Sequence, residues 1–100
     1  MFEPKVKNQQ TALLMKAIML IDNEEDAYRF FEDLCTIPEI KSISQRLEVA
    51  ELLRKKETYQ KIAEETGASS ATISRVNRAL TYGADGYNRL FEQMDEAEKE

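Results

Sequence analysis

The chain has 100 residues, three Gly and two Pro, is 42% hydrophobic and 33% charged, and carries a formal net charge of −5, too apolar for disorder and too poor in loop formers for a sandwich of short strands. The absence of histidine and a lone Cys35 exclude Ser-His-Asp chemistry, imidazole zinc sites, four-cysteine metal sites and an intrachain disulfide. The longest apolar run, Ala17 to Ile21, is far too short for a membrane span or signal-peptide core, so the expectation is an all-α, cytoplasmic, single-domain protein without a membrane partner.

Six helices are expected in chain order. The first runs from about Thr11 to Ile21, where Leu13, Leu14, Met15, Ala17, Ile18, Met19, Leu20 and Ile21 cover far more than one inward stripe, more than a single neighbouring face can bury. The second follows Asn23 as N-cap, with Glu24, Glu25 and Asp26 at the positive end of the helix dipole and Tyr28, Phe30, Phe31 and Leu34 facing inward. Thr36-Ile37-Pro38-Glu39 fits a T-x-x-E capping box and opens a third helix, carried to about Lys55 by Ile40, Ile43, Leu47, Val49, Ala50, Leu52 and Leu53. Thr58 caps a short fourth helix that ends at Gly67, and Ser69 or Ser70 caps a fifth reaching Leu80. After a turn over residues 82–86, Tyr87, Leu90, Phe91, Met94 and Ala97 mark an amphipathic sixth helix.

The charge is unevenly spread. Lys41 to Arg89 holds nine basic residues against six acidic, a net of +3, so with the whole chain at −5 the remainder carries −8. The acid gathers at Asp22 to Asp33 and Glu92 to Glu100, the parts a protein would keep away from a polyanion.

Within the basic segment, Tyr59 to Arg78 has the pattern of a helix-turn-helix. Ile62 and Ala63 supply an inner face and a small crossing residue, Gly67 the turn, and Ile73 and Val76 the buried face of the second helix. At about 100° per residue the side opposite Ile73, Val76 and Leu80 carries Ala71, Ser74, Arg75 and Arg78, with no acid between Ala68 and Leu80. Small residues permit close approach to a major groove, hydroxyls reach bases or phosphates, and Arg bonds a guanine edge in two places. Arg75 and Arg78 are therefore the expected base readers, with Ser69, Ser70, Ala71, Thr72 and Ser74 completing the contact surface. Thr58, Gln60 and Lys61, with Lys55 and Lys56, are expected to hold phosphates and set register.

The run Gly67-Ala68-Ser69-Ser70-Ala71-Thr72-Ile73-Ser74-Arg75, with Thr36 and Arg46 before it and Tyr82-Gly83-Ala84-Asp85-Gly86-Tyr87 after it, resembles the Trp repressor superfamily, in particular the Trp-repressor-like YerC/YecD family. The resemblance covers about Leu34 to Leu90. It implies a six-helix fold that interlocks with a second copy as a homodimer, which agrees with the over-apolar first helix. Residues 1–35 then contribute helices to the dimer core, 36–80 the core helix and DNA reader, and 81–100 the turn and last helix. By position Arg46 and Arg75, with Thr36, resemble the residues that hold a tryptophan corepressor. The glycine that follows the second arginine in the Trp repressor is Val76 here, which narrows the space for an indole and sets this sequence apart.

The functional expectation is a sequence-specific, DNA-binding transcriptional regulator, a repressor by resemblance, with double-stranded DNA and a second copy as partners and a small effector of unknown identity. No cofactor is required. A helical protein-interaction adaptor is the alternative, motivated by the acidic ends. Catalysis has no support, because the carboxylates fall on solvent-facing positions without a phosphate loop, an activated nucleophile or a ligand cluster.

Overall fold

A computed structural model describes residues 1–99. Its element order is α1 (Gln9–Met19), α2 (Glu24–Leu34), α3 (Ile37–Arg54), α4 (Tyr59–Thr66), α5 (Ser70–Tyr82) and α6 (Gly86–Lys99), with no strand among the described residues. The chain forms two compact units, Met1–Ile37 and a second from Pro38 onward.

In the first unit α1 starts two residues earlier than the hydrophobic pattern predicts, and the reason is its cap. The Asn8 side chain accepts from the Thr11 N–H at 2.9 Å, while the Asn8 N–H donates to Thr11 Oγ1 at 2.8 Å, a capping box built with threonine rather than the usual Glu or Gln. The helix also stops at Met19, so Leu20 and Ile21 leave it through tight turns onto Ala17 and Ile18. Asn23 caps α2 as expected, accepting from the Asp26 N–H at 2.8 Å. Neither helix contains a buried residue. Tyr28 and Leu34, expected to face inward, are 63% and 52% exposed.

The second unit holds the core. Val49 and Ala50 of α3, Ile62 of α4, Ala68, Ile73 and Val76 at and within α5, and Phe91 of α6 are buried, flanked by Leu52, Leu53, Ala63, Leu80 and Tyr87. Ile43 and Leu47, part of the apolar set that carries α3, are each 40% exposed. α3 closes at Lys56, whose φ is +65°: the Lys56 and Glu57 N–H groups donate back to the carbonyls of Leu53 and Leu52, a Schellman pairing with a lysine where glycine is usual.

The last helix is fastened to α3 by a residue whose part the sequence hides. The Arg54 guanidinium lies 5.2 Å from the centre of the Phe91 ring and 3.6 Å from Asp95 Oδ2. α5 runs to Tyr82, two residues past the expected Leu80, and α6 begins at Gly86, so the connection is only residues 83–85. Asn88 pins it by donating to the Leu80 carbonyl at 3.3 Å and to Asp85 Oδ1 at 3.2 Å.

Candidate nucleic-acid interface

The helix-turn-helix is α4, the turn over residues 67–69, and α5, and these two helices pack directly on each other. Each begins on a hydroxyl cap. Thr58 Oγ1 accepts from the Lys61 N–H at 3.2 Å, and Ser69 Oγ accepts from the Thr72 N–H at 3.1 Å. α4 ends at Gly67, whose φ of +74° is the left-handed conformation in which a side chain is unfavourable. Thr66 knits the turn: its hydroxyl donates to the Ile62 carbonyl at 2.7 Å and accepts from the Ala68 N–H at 3.1 Å.

These constraints decide which way α5 faces. Ile73 and Val76 are each 1% exposed, while Ser70, Ala71, Ser74, Arg75 and Arg78 are exposed and Thr72 is half-buried. Arg75 and Arg78 make no ion pair among the described residues, although basic side chains elsewhere do. Two guanidinium groups thus stand on a solvent face without a carboxylate of their own, with every donor open to an incoming acceptor.

The flank of the reader on α4 is different. Lys61 Nζ lies 3.2 Å from Glu57 Oε2 and 4.0 Å from Glu65 Oε1, and Gln60 Nε2 sits 3.5 Å from Glu64 Oε1. Lys61 and Gln60, two of the expected phosphate holders, already face carboxylates four residues away along the chain. Such exposed pairs are worth little, about 0 to 1 kcal/mol, and give way to a phosphate at small cost. Thr58 is exposed, and its hydroxyl retains a proton to donate while it caps α4, whereas the Ser69 hydroxyl gives its proton to Thr72 Oγ1 at 3.1 Å. Thr72 therefore has a free hydroxyl proton where Ser69 has none.

Of the three expected effector residues, Arg46 is half-buried on α3 and Arg75 exposed on α5, both in the second unit, while Thr36 directly precedes α3 and belongs to the first. Val76 is buried in the core beside Ile73. An apolar hollow opens between α3, α5 and α6, lined by Leu47, Ala79, Ala84, Gly86, Tyr87 and Leu90.

Comparison with known proteins agrees with this geometry over nearly the whole chain. The profile of the family described as Trp repressor protein matches residues 9–95. The chain belongs to the Trp repressor protein family. Its relatives include the uncharacterized protein YerC of Bacillus subtilis (strain 168), 50% identical over 96 residues, which covers 96% of this chain and 92% of that protein. Among solved structures, a TrpR-like protein from Eubacterium eligens ATCC 27750 superposes with a TM-score of 0.87 at 57% identity, covering 91% of this chain and 94% of the other. A Trp repressor candidate from Staphylococcus aureus matches with the same TM-score of 0.87 at 45% identity over 91% of both chains. The six-helix, all-α architecture is thus that of Trp repressor-like proteins, a family of transcription regulators rather than enzymes. No described helix is long and apolar enough to cross a membrane.

Two contributors to the site escaped sequence reasoning. The Gln45 side chain on α3 donates to the Thr66 carbonyl at 3.1 Å, and Arg54 engages Phe91 and Asp95. A lone glutamine in a helix has no sequence signature. Arg54 belongs to a run of three basic residues and reads simply as complement to a helix C-terminus.

Proposed function

We propose that the protein is a homodimeric, sequence-specific transcriptional regulator, acting as a repressor, that reads the major groove of double-stranded DNA with α5. The observation that carries this reading is the exposed face of α5, where Arg75 and Arg78 have no carboxylate partner among the described residues while Ile73 and Val76 on the opposite side lock the helix into the core. Arg75 and Arg78 contact base edges; Ser70, Ala71, Thr72 and Ser74 line the approach. Thr58, Gln60 and Lys61 face phosphates at the start of α4, and at the start of α5 the backbone N–H groups behind the Ser69 cap, rather than its engaged hydroxyl, favour an anion.

The dimer is supported by the first unit, where Leu13, Met19 and Leu20 are 70%, 82% and 78% exposed. Burying each such side chain is worth about 1.5 to 3 kcal/mol, which favours covering them with a second copy. With a twofold axis the two reading helices would address half-sites about 34 Å apart. A small effector beside Arg46 and Arg75 belongs to the same proposal. Val76 stands against tryptophan in that role, because its branched side chain occupies the core where the Trp repressor carries glycine.

Titration of labelled duplexes at several salt concentrations tests the reading. The logarithm of affinity should fall linearly with the logarithm of salt at about 0.9 per neutralised phosphate, with a preference for one sequence over its scrambled version. No saturable duplex binding at low salt would instead favour the protein-interaction adaptor.

A further inference from the structure

The helix-turn-helix meets α3 through two kinds of contact. Val49 and Ala50 of α3 share the core with Ile62, Ile73 and Val76, and this close packing holds the two-helix body against α3 and sets its coarse crossing angle. The Gln45 to Thr66 hydrogen bond is directional and joins residues 21 positions apart. Gln45 precedes Val49 by four residues and so lies on the same face of α3, one turn beyond the core contact. Its target, the Thr66 carbonyl, is the last of α4 and one of those a helix leaves without an internal partner. The Gln45 amide nitrogen is also the nearest atom to the point where a side chain on Gly67 would begin, at 4.0 Å, so it rests on the turn itself.

We propose that Gln45 is a positioning residue for DNA reading: its side-chain amide ties the turn between α4 and α5 to α3 and thereby sets the angle at which Arg75 and Arg78 meet the groove. The proposal rests on the DNA-binding function given above. Its chemistry requires a neutral donor. The carbonyl end of α4 carries partial negative charge, so a carboxylate of the same shape at this position repels where the amide donates.

The test compares wild type, Gln45→Met and Gln45→Glu by fluorescence anisotropy on the preferred duplex and on its scrambled version. Amide hydrogen exchange is followed along the same chains. Gln45→Met keeps length and apolar packing but loses the donor. It should weaken binding to the preferred duplex by about fivefold while leaving scrambled-duplex affinity and its salt dependence unchanged, since no phosphate contact is lost. Gln45→Glu should lose more than Gln45→Met on the preferred duplex. In both variants the Gly67 and Ala68 amides should exchange faster, with the Ile73 and Val76 amides as slow as in wild type. An equal loss on both duplexes, or an unchanged preference together with unchanged exchange in the turn, would overturn the proposal. If wild type itself prefers no duplex, the DNA-reading function fails and the exchange measurement alone decides whether Gln45 holds the turn.

Discussion

Arg75 lies on the exposed face of α5. The side chain is exposed and has no ion pair among the described residues, so its removal leaves no buried charge and disturbs no packing. Arg75→Ala should therefore leave thermal stability within about 0.5 kcal/mol. Its cost in binding to the preferred duplex should be about 1 to 3 kcal/mol, with relaxed specificity at one base pair. Retained discrimination in a competition titration would remove Arg75 from the reading role. The glycines separate by their surroundings. A side chain at Gly83 would run into the backbone carbonyl of Ala79, whereas one at Gly86 meets nothing within 4 Å. Gly83→Ala should destabilise by about 1 to 3 kcal/mol, the range for overpacking, while Gly86→Ala should be neutral or mildly stabilising. Lys56 gives the converse case: at φ +65° it holds a conformation that glycine adopts freely, so Lys56→Gly should raise stability by about 1 kcal/mol in urea unfolding.

Among the elements, α4 and α5 were the most legible in the sequence, because their ends are chemically explicit. Thr58, Gly67 and Ser69 each do one backbone job that few residue types do as well, and the inward set Ile62, Ile73 and Val76 is buried as the periodicity predicts. Removing either cap by Thr58→Ala or Ser69→Ala should cost about 1 kcal/mol in thermal or denaturant unfolding, and no loss in either variant would contradict the observed capping geometry. The start of α1 was missed because threonine takes the place of Glu or Gln in its capping box, and the end of α5 because Thr81 and Tyr82 carry no stop signal before Gly83. The apolar pattern also placed Tyr28 and Leu34 inside; it identifies an apolar face but is silent on what covers it. At the site, α5 was readable because its exposed face lacks acid. The engagement of Lys61 by Glu57, just before α4, and by Glu65 within it was not anticipated, since pairing four residues apart competes with the outward reach assumed for a lone lysine.

On the scale of the whole molecule, the two units differ in what they bury. The core lies entirely in the second, while the first leaves Leu13, Met19 and Leu20 exposed. In the proposed dimer a second copy would cover them and make stability depend on concentration, so Tm should rise as the protein is concentrated. Leu13→Asp is a near-neutral surface change in a monomer; in the proposed dimer it should shift sedimentation towards the monomer and lower Tm. The charge partition acts at the same scale. A net +3 over residues 41–89 and −8 over the rest favour an approach that presents the reading helices first. The most direct measurement is selection of bound fragments from random duplex DNA with wild type and the Arg75→Ala, Arg78→Ala double variant in parallel. The account predicts a palindromic consensus with half-sites about one helical turn apart for wild type and none for the variant. Enrichment of the same consensus by both proteins, or by neither, would contradict it.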